Sequence, residues 1–192
     1  MVNLLYPSND SIFATSSIDV IINVTNLTDT QLDSCFITVG GVRNSTNSSM
    51  LVDYNTTFSI TFPDGDYDLD ACCNNTQGVQ GCSKDGGAFN VTIDITTPGV
   101  TIDSPLNQTY GVSSIDFNIT LDEDGETVLY TLDSGVNNIT MFKSNGTFFN
   151  HTNSSIADGG YGAVFYCNDS SNNVNGTENI TFTVLIEGTD YE

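Results

Sequence analysis

The sequence predicts an all-β protein of two tandem antiparallel Ig-like β-sandwich domains, covering residues 1–96 and 97–192. Three observations lead there. Apolar residues recur with a period of two, the chain repeats itself after about 95 residues, and no stretch carries a 3.6-residue stripe.

The repeat is direct. VNLLYPSNDS from Val2 aligns with VTIDSPLNQT from Val100, matching Pro7 with Pro105 and Asn9 with Asn107. Ser16-Ser17-Ile18-Asp19 matches Ser113-Ser114-Ile115-Asp116, and Asp64-Gly65-Asp66-Tyr67 matches Asp158-Gly159-Gly160-Tyr161. Cys73-Asn74 then matches Cys167-Asn168, and Phe89-Asn90-Val91 matches Phe182-Thr183-Val184. A period of this length is far above solenoid repeats and is the size of one sandwich domain. The seam falls at Thr96-Thr97-Pro98-Gly99, where Pro and Gly interrupt both strand patterns.

Alternation then places the strands. In the first copy they are expected near 2–6, 17–24, 34–39, 50–53, 56–62, 67–73 and 87–94. In the second they are expected near 100–103, 114–121, 127–132, 139–142, 146–150, 160–167 and 177–186. Ile18, Val20, Ile22 and Val24 form one apolar row, and Ile115, Phe117, Ile119 and Leu121 form its counterpart.

A second signal is independent of the first. Asn-x-Ser/Thr sequons begin at Asn9, Asn23, Asn26, Asn44, Asn47, Asn55, Asn74, Asn90, Asn107, Asn118, Asn138, Asn145, Asn150, Asn153, Asn168, Asn175 and Asn179. That is 17 of 22 asparagines, where about five would arise by chance from the motif definition. N-glycosylation at these sites implies export and a solvent-facing Asn at each. Asn23, Asn90, Asn118 and Asn179 all fall within strands and on the polar side of the alternation. A slip of one residue would bury them all.

Composition narrows the partners. Apolar residues make up 38% of the chain, with 11 Phe and 8 Tyr, enough for folded cores. Net charge is −21, because 24 acids face three bases, Arg43, Lys84 and Lys143. Such a surface repels nucleic acid and anionic membranes, which are bound through clustered Lys and Arg. No run reaches the ~18 apolar residues of a membrane span. Met1-Val2-Asn3 has neither a basic nor an apolar leader region, so a targeting segment is expected outside these residues.

Several stretches resemble the tandem Ig-like repeats of secreted archaeal and bacterial cell-surface proteins. They are Thr97-Pro98 with Val100 and Ser104-Pro105, Leu129-Tyr130-Thr131-Leu132-Asp133, and Asp158-Gly159-Gly160-Tyr161 running to Cys167-Asn168-Asp169. In that family a TPP-x-V linker with a following Ser-Pro opens each copy. A "YSLDGG" strand sits mid-domain, and "DGxYxxxVxCxDxxGN" marks the penultimate strand. The resemblance implies a place in surface layers, adhesin stalks or surface filaments. The chain departs from the pattern at Val128, where the first copy has Cys35, and across Asn74-Asn75-Thr76-Gln77-Gly78.

Four cysteines of the first copy allow three pairings. Alternation through Tyr67, Leu69, Ala71 and Cys73 points Cys73 inward and Cys72 outward, while Cys35 is in phase with Ile37 and Val39. The expected bonds are Cys35–Cys73 across the core and Cys72–Cys82 closing the loop between them. A metal site is the rival reading, but His151, the one histidine, lies in the other copy. For Cys167 the position matching Cys35 is Val128, so no core bridge can form and a buried free thiol is expected, with an intermolecular bridge as the alternative.

Two acidic runs are calcium candidates: Asp64, Asp66 and Asp68 with Asp70, and Asp122 and Asp124 with Glu123 and Glu126. The alternative for both is a solvated turn. No cofactor other than covalent glycans is expected. Catalytic signatures are absent, and His151, inside the sequon Asn150-His151-Thr152, is expected on the surface. The function expected is therefore structural: a glycosylated extracellular repeat unit of a filament, sheath or surface layer. Its partners would be copies of itself or neighbouring repeats, end to end, with the tail 187–192 in the place of the linker 94–99. An adhesin stalk or binding module, or an accessory module of a secreted enzyme, is the alternative.

Overall fold

Each half of the chain sends its first strand into two sheets, and a proline makes the switch. The computed structural model describes residues 1–25, 31–83 and 89–186, and every element in it is a strand. The chain divides into two compact units, Met1–Ile95 and Thr96–Glu192, one residue earlier than the 96/97 seam read from the sequence.

The first unit contains β1 (Val2–Tyr6), β2 (Ser11–Phe13), β3 (Ser17–Val24), β4 (Leu32–Val39), β5 (Val42–Asn47), β6 (Asn55–Thr61), β7 (Gly65–Asn75), β8 (Gln80–Cys82) and β9 (Phe89–Ile93). One sheet has the order β1-β3-β6. The other runs β2-β9-β7-β4-β5, with β8 beside β7. Ile18, Val20, Ile22 and Val24 of β3 are buried together with Phe58, Ile60, Cys35, Ile37, Leu69, Ala71, Val91 and Ile93. Burying each large apolar side chain contributes roughly 1.5–3 kcal/mol, so this two-sided core is the main stabilising term.

The second unit contains β10 (Val100–Ser104), β11 (Thr109–Tyr110), β12 (Ile115–Leu121), β13 (Gly125–Thr131), β14 (Ile139–Thr140), β15 (Phe142–Lys143), β16 (Phe148–Asn153), β17 (Gly159–Asp169), β18 (Val174–Asn175) and β19 (Asn179–Val184). Its sheets are β10-β12-β16-β15 and β11-β19-β17-β13-β14, with β18 beside β17. The architecture is that of two tandem Ig-like sandwiches. Each has a parallel exception: β2 runs parallel to β9, and β11 parallel to β19. The preceding Pro7 and Pro105 have no N–H to continue a ladder, so the strand ends and re-forms on the opposite sheet.

Several expected strands differ. Residues 50–53 are not a strand; Asp53 has φ +64, and the pairing instead falls on β5, which lacks an apolar period. The expected strand 139–142 is two short pieces on different sheets, with β14 on β13, β15 on β16, and Met141 buried at the crossing. The short strands β2, β8, β11 and β18 carry too few residues to show a period.

The repeated Asp-Gly-x-Tyr segment acquires a physical reason. Asp64 Oδ1 accepts the Ile95 N–H at 2.7 Å, and Asp158 Oδ1 accepts the Ile186 N–H at 2.9 Å, so each carboxylate holds the end of a last strand. The Tyr67 hydroxyl donates to the Pro63 carbonyl at 3.0 Å, and that of Tyr161 to the Ala157 carbonyl at 2.9 Å. Gly65 and Gly159 between them sit at φ +144° and +155°, which L side chains rarely adopt. This corner ties the turn to the strand that follows it, much as the tyrosine corner of immunoglobulin domains does. Tyr67→Phe and Tyr161→Phe should each lower the stability of their own unit by about 1 kcal/mol, measured by denaturant unfolding, with the fold retained. No change in either variant would show that the corner bonds are decorative.

Candidate functional site

The residues with the strongest sequence signal are the sequons, and the strands decide where they point. Asn26 lies outside the described residues. Of the other 16, none is buried. Asn9, Asn44, Asn55, Asn90, Asn107, Asn138, Asn145 and Asn179 are exposed, and Asn23, Asn47, Asn74, Asn118, Asn150, Asn153, Asn168 and Asn175 are half-buried. Four sequons fold into Asx turns, in which the Asn Oδ1 accepts the N–H two residues on: Ser49 for Asn47, Thr147 for Asn145, Ser155 for Asn153 and Thr177 for Asn175.

The same chemistry shapes the turns. Asp133 accepts from Thr131 Oγ1 at 2.7 Å and from the Asn137 backbone and side-chain N–H groups at 2.8 and 2.6 Å. Asp169 accepts from the backbone and side chain of Asn173 at 2.8 and 2.9 Å. In the first unit Asn75 stands where Asp169 does, and its Oδ1 accepts from Gln77 and Val79. The different sequence at 74–78 thus keeps the turn and the N–H donated from four residues on, with an amide oxygen accepting in place of a carboxylate. For Asp133 the donated hydrogen bonds, led by the Asn137 backbone, pull its carboxyl down to about 2.

Both expected disulfides are present, Cys35–Cys73 and Cys72–Cys82. Their setting differs from the expectation in one respect. Cys35 and Cys73 are directly opposite on neighbouring strands β4 and β7, so the bond lies on the core face within one sheet and does not cross to the other. Cys72 does turn away from the core, yet it is buried, because β8 covers it and brings Cys82 opposite. Asp70, on the same outward row, is buried too and accepts from Ser83 Oγ at 2.6 Å. Phe36, beside Cys72 in register, is covered by the Arg43 guanidinium 3.6 Å above its ring.

In the second unit Cys167 is a free, buried thiol, opposite Val128 in the β13–β17 register. Burial above all, opposed by a backbone hydrogen bond from Asn175 and helped by the carboxylates of Asp169, Glu123 and Asp122, pushes its pKa up to about 11. Such a thiol is unreactive at neutral pH.

His151 is a correction. It is half-buried and faces inward from β16, at the register position that Phe58 holds in the first unit. Its Nδ1 lies 3.1 Å from the Tyr130 hydroxyl, and Tyr130 stacks on Phe117 at 4.0 Å between ring centres. Burial raises the Tyr130 pKa, opposed by the facing Asn153 side chain. The strand expected to end near residue 150 continues to Asn153, so alternation turns His151 inward between Asn150 and Thr152.

The calcium candidates are engaged separately. Asp64 holds Ile95, Asp66 accepts Thr92 Oγ1 at 2.6 Å, and Asp68 faces Asn90 in the β7–β9 register. Asp122 accepts the Gly99 N–H at 2.6 Å, so close that a Cβ on Gly99 would lie 2.5 Å from its other oxygen. Asp124 packs against Gly146. Among the described residues these five carboxylates do not converge in any group of three.

No protein-family model matches the chain, and no curated protein does. Among solved structures, the fibronectin(III)-like modules of Clostridium thermocellum CbhA align over the whole of both chains at 15% identity and TM-score 0.48. The D00-D0 domain of intimin aligns over 95% of this chain and 100% of that one, at 13% identity and TM-score 0.45. An ICAM-5 D1-D4 ectodomain fragment aligns over 96% of this chain and 54% of that one, at 12% identity and TM-score 0.42. At these values the likenesses do not bear on function, and the fold rests on the strand order and register above. No helix of the described residues is long and apolar enough to cross a membrane.

Two measurements follow. Thiol titration of the native, unreduced protein should find no fast-reacting group, and unfolding without reductant should release one, Cys167. Val128→Cys should remove that thiol by forming the rung that Cys35–Cys73 forms in the first unit, raising stability by up to about 4 kcal/mol. A thiol count of two in that variant would refute the equivalence of the two positions. The second measurement concerns acid. Because the folded pKa of Asp133 is depressed, its contribution is complete above 3.8 and is lost as pH falls through about 2. Asp133→Asn should therefore lower the melting temperature at neutral pH, and the difference from the parent should shrink as pH falls below 3.8 and vanish below about 2. A gap that stays constant with pH would mean the carboxylate charge is irrelevant to the loop.

Proposed function

We propose that the chain is a structural, N-glycosylated repeat unit of an extracellular assembly at the cell surface, a filament, sheath or surface layer, and that it performs no catalysis. The observation that carries this is the agreement of two unrelated patterns. The sequon excess is a property of the sequence alone, and none of the 16 described sites falls in either core. Several lie in the middle of strands, where a shift of one residue would have buried them. The two disulfides fit an oxidising compartment, as export requires.

The repeat itself supports partners of the same kind. Two copies of one sandwich already stand in tandem, and neighbouring repeats or further copies would continue the series end to end. Sugars and carboxylates on the outer faces favour such contacts over lateral ones, since lateral pairing would desolvate both.

Glycopeptide mapping of the protein secreted by a glycosylating host tests the modification, with most sequons expected to be occupied. Fewer than about four occupied sites would overturn it. Electron microscopy of the native material tests the assembly. End-to-end arrays are expected, and separate monomers would refute that part.

A further inference from the structure

The register sets two pairs of sequons face to face. Asn23 on β3 is directly opposite Asn55 on β6, and Asn118 on β12 is directly opposite Asn150 on β16. These strands correspond in the two units: Asp19 and Asp116 hold the same place, bonded to Ser59 Oγ at 2.5 Å and to Thr152 Oγ1 at 2.6 Å. The pairs are set two residues apart along the corresponding strands, so this is the same crowding reached twice at different positions.

Residues directly opposite in an antiparallel pair have Cβ atoms about 4.5–5.5 Å apart and project from the same face. A pyranose ring with its substituents is at least as wide as that gap. Two sugars leaving side by side would contend for one space, and the first would shield the second asparagine from the transferase. We propose that each pair carries a single glycan, so that four of the sequons supply two sugar chains. This rests on the glycosylation proposed above.

In the first pair the geometry also selects the site. Asn55 is exposed, whereas Asn23 is half-buried, its Nδ2 donating to Asn55 Oδ1 at 3.2 Å and its own Oδ1 closed off from solvent. A sugar on Asn55 Nδ2 leaves that hydrogen bond intact. A sugar on Asn23 would have to leave from the less exposed nitrogen, which is already engaged with Asn55. Asn55 is therefore the occupied member.

The test is the intact mass of the full chain secreted by a glycosylating host. The double variant Asn23→Gln/Asn55→Gln should lose one glycan relative to the parent, and Asn118→Gln/Asn150→Gln should also lose one. Asn23→Gln alone should lose none. Glutamine retains polarity at these partly exposed positions, and thiol titration of each variant checks that the disulfides have formed. Loss of two glycans in either double variant, or of none, overturns the pairing while leaving glycosylation elsewhere standing. A parent chain with no glycan at any sequon would instead overturn the glycosylation on which the pairing rests.

Discussion

The register of β3 and β12 is the constraint on which the rest depends. Both strands lie between neighbours within their sheets, and both turn four apolar residues into a core and their polar residues to the opposite face. Shifting either by one residue would put three or four aliphatic or aromatic side chains into water and drive a sequon asparagine inward. The cost would be several times ~1.5–3 kcal/mol, a large part of a domain's net stability. With the register fixed, the partner strands must follow. Asp19 meets Ser59, Asp116 meets Thr152, and the opposed sequon pairs are then unavoidable.

The two units reinforce one frame in different ways. Where the first has Cys35 bonded to Cys73, the second has Val128 against a free Cys167. Where the first packs Ile37 and Phe58, the second packs Tyr130 and His151, with Phe117 and Phe165 around the tyrosine ring. A buried tyrosine hydroxyl must find a partner or lose roughly 1–3 kcal/mol, and His151 supplies one. On the outer face the difference continues. Phe36 is capped by Arg43 and Cys72 by Cys82, whereas their counterparts Leu129 and Tyr166 line an apolar slot with Val174. Covalent closure in one unit is matched by aromatic packing in the other.

Most of the fold was legible because its signals are local in sequence. A period of two needs only a handful of residues, and the duplicated Pro7, Asp64-Gly65 and Tyr67 mark the same corners twice. What escaped was set by distant partners. β5 has no apolar period, since β4 supplies its ladder and Arg43 lies over Phe36. β8 spans three residues and is held by Cys72–Cys82 and the β7 ladder. Met141 marks a change of sheet that alternation alone reads as one strand. A sequon implies a solvent-facing asparagine and so suggests a surface position for His151 as well, yet alternating strand positions put a sequon asparagine and an inward side chain next to each other. The cysteine partners were read correctly from in-phase alternation. Alternation reports a shared face and cannot tell the facing sheet from the neighbouring strand, which is why Cys35–Cys73 was expected to cross the core.

An open sheet edge gives a reason for a glycan of the kind proposed above at Asn55. In the described part of the first unit β6 has β3 on one side and no further strand on the other, and it offers seven residues of backbone. In the second unit the corresponding β16 is partly covered by β15. An exposed edge of that length is a template for unwanted pairing, which proteins usually blunt with charge, proline or a bulge. Lysine, a common blunting residue, is almost absent from this chain, and β6 has neither charge nor proline: its sequence is Asn-Thr-Thr-Phe-Ser-Ile-Thr. A sugar on Asn55 would supply bulk and hydration at the first residue of that edge. The same residue lies opposite Asn23, so one glycan would screen both the edge and the middle of the sheet's outer face. Contacts between repeats would then be left to surfaces that the sugars do not reach.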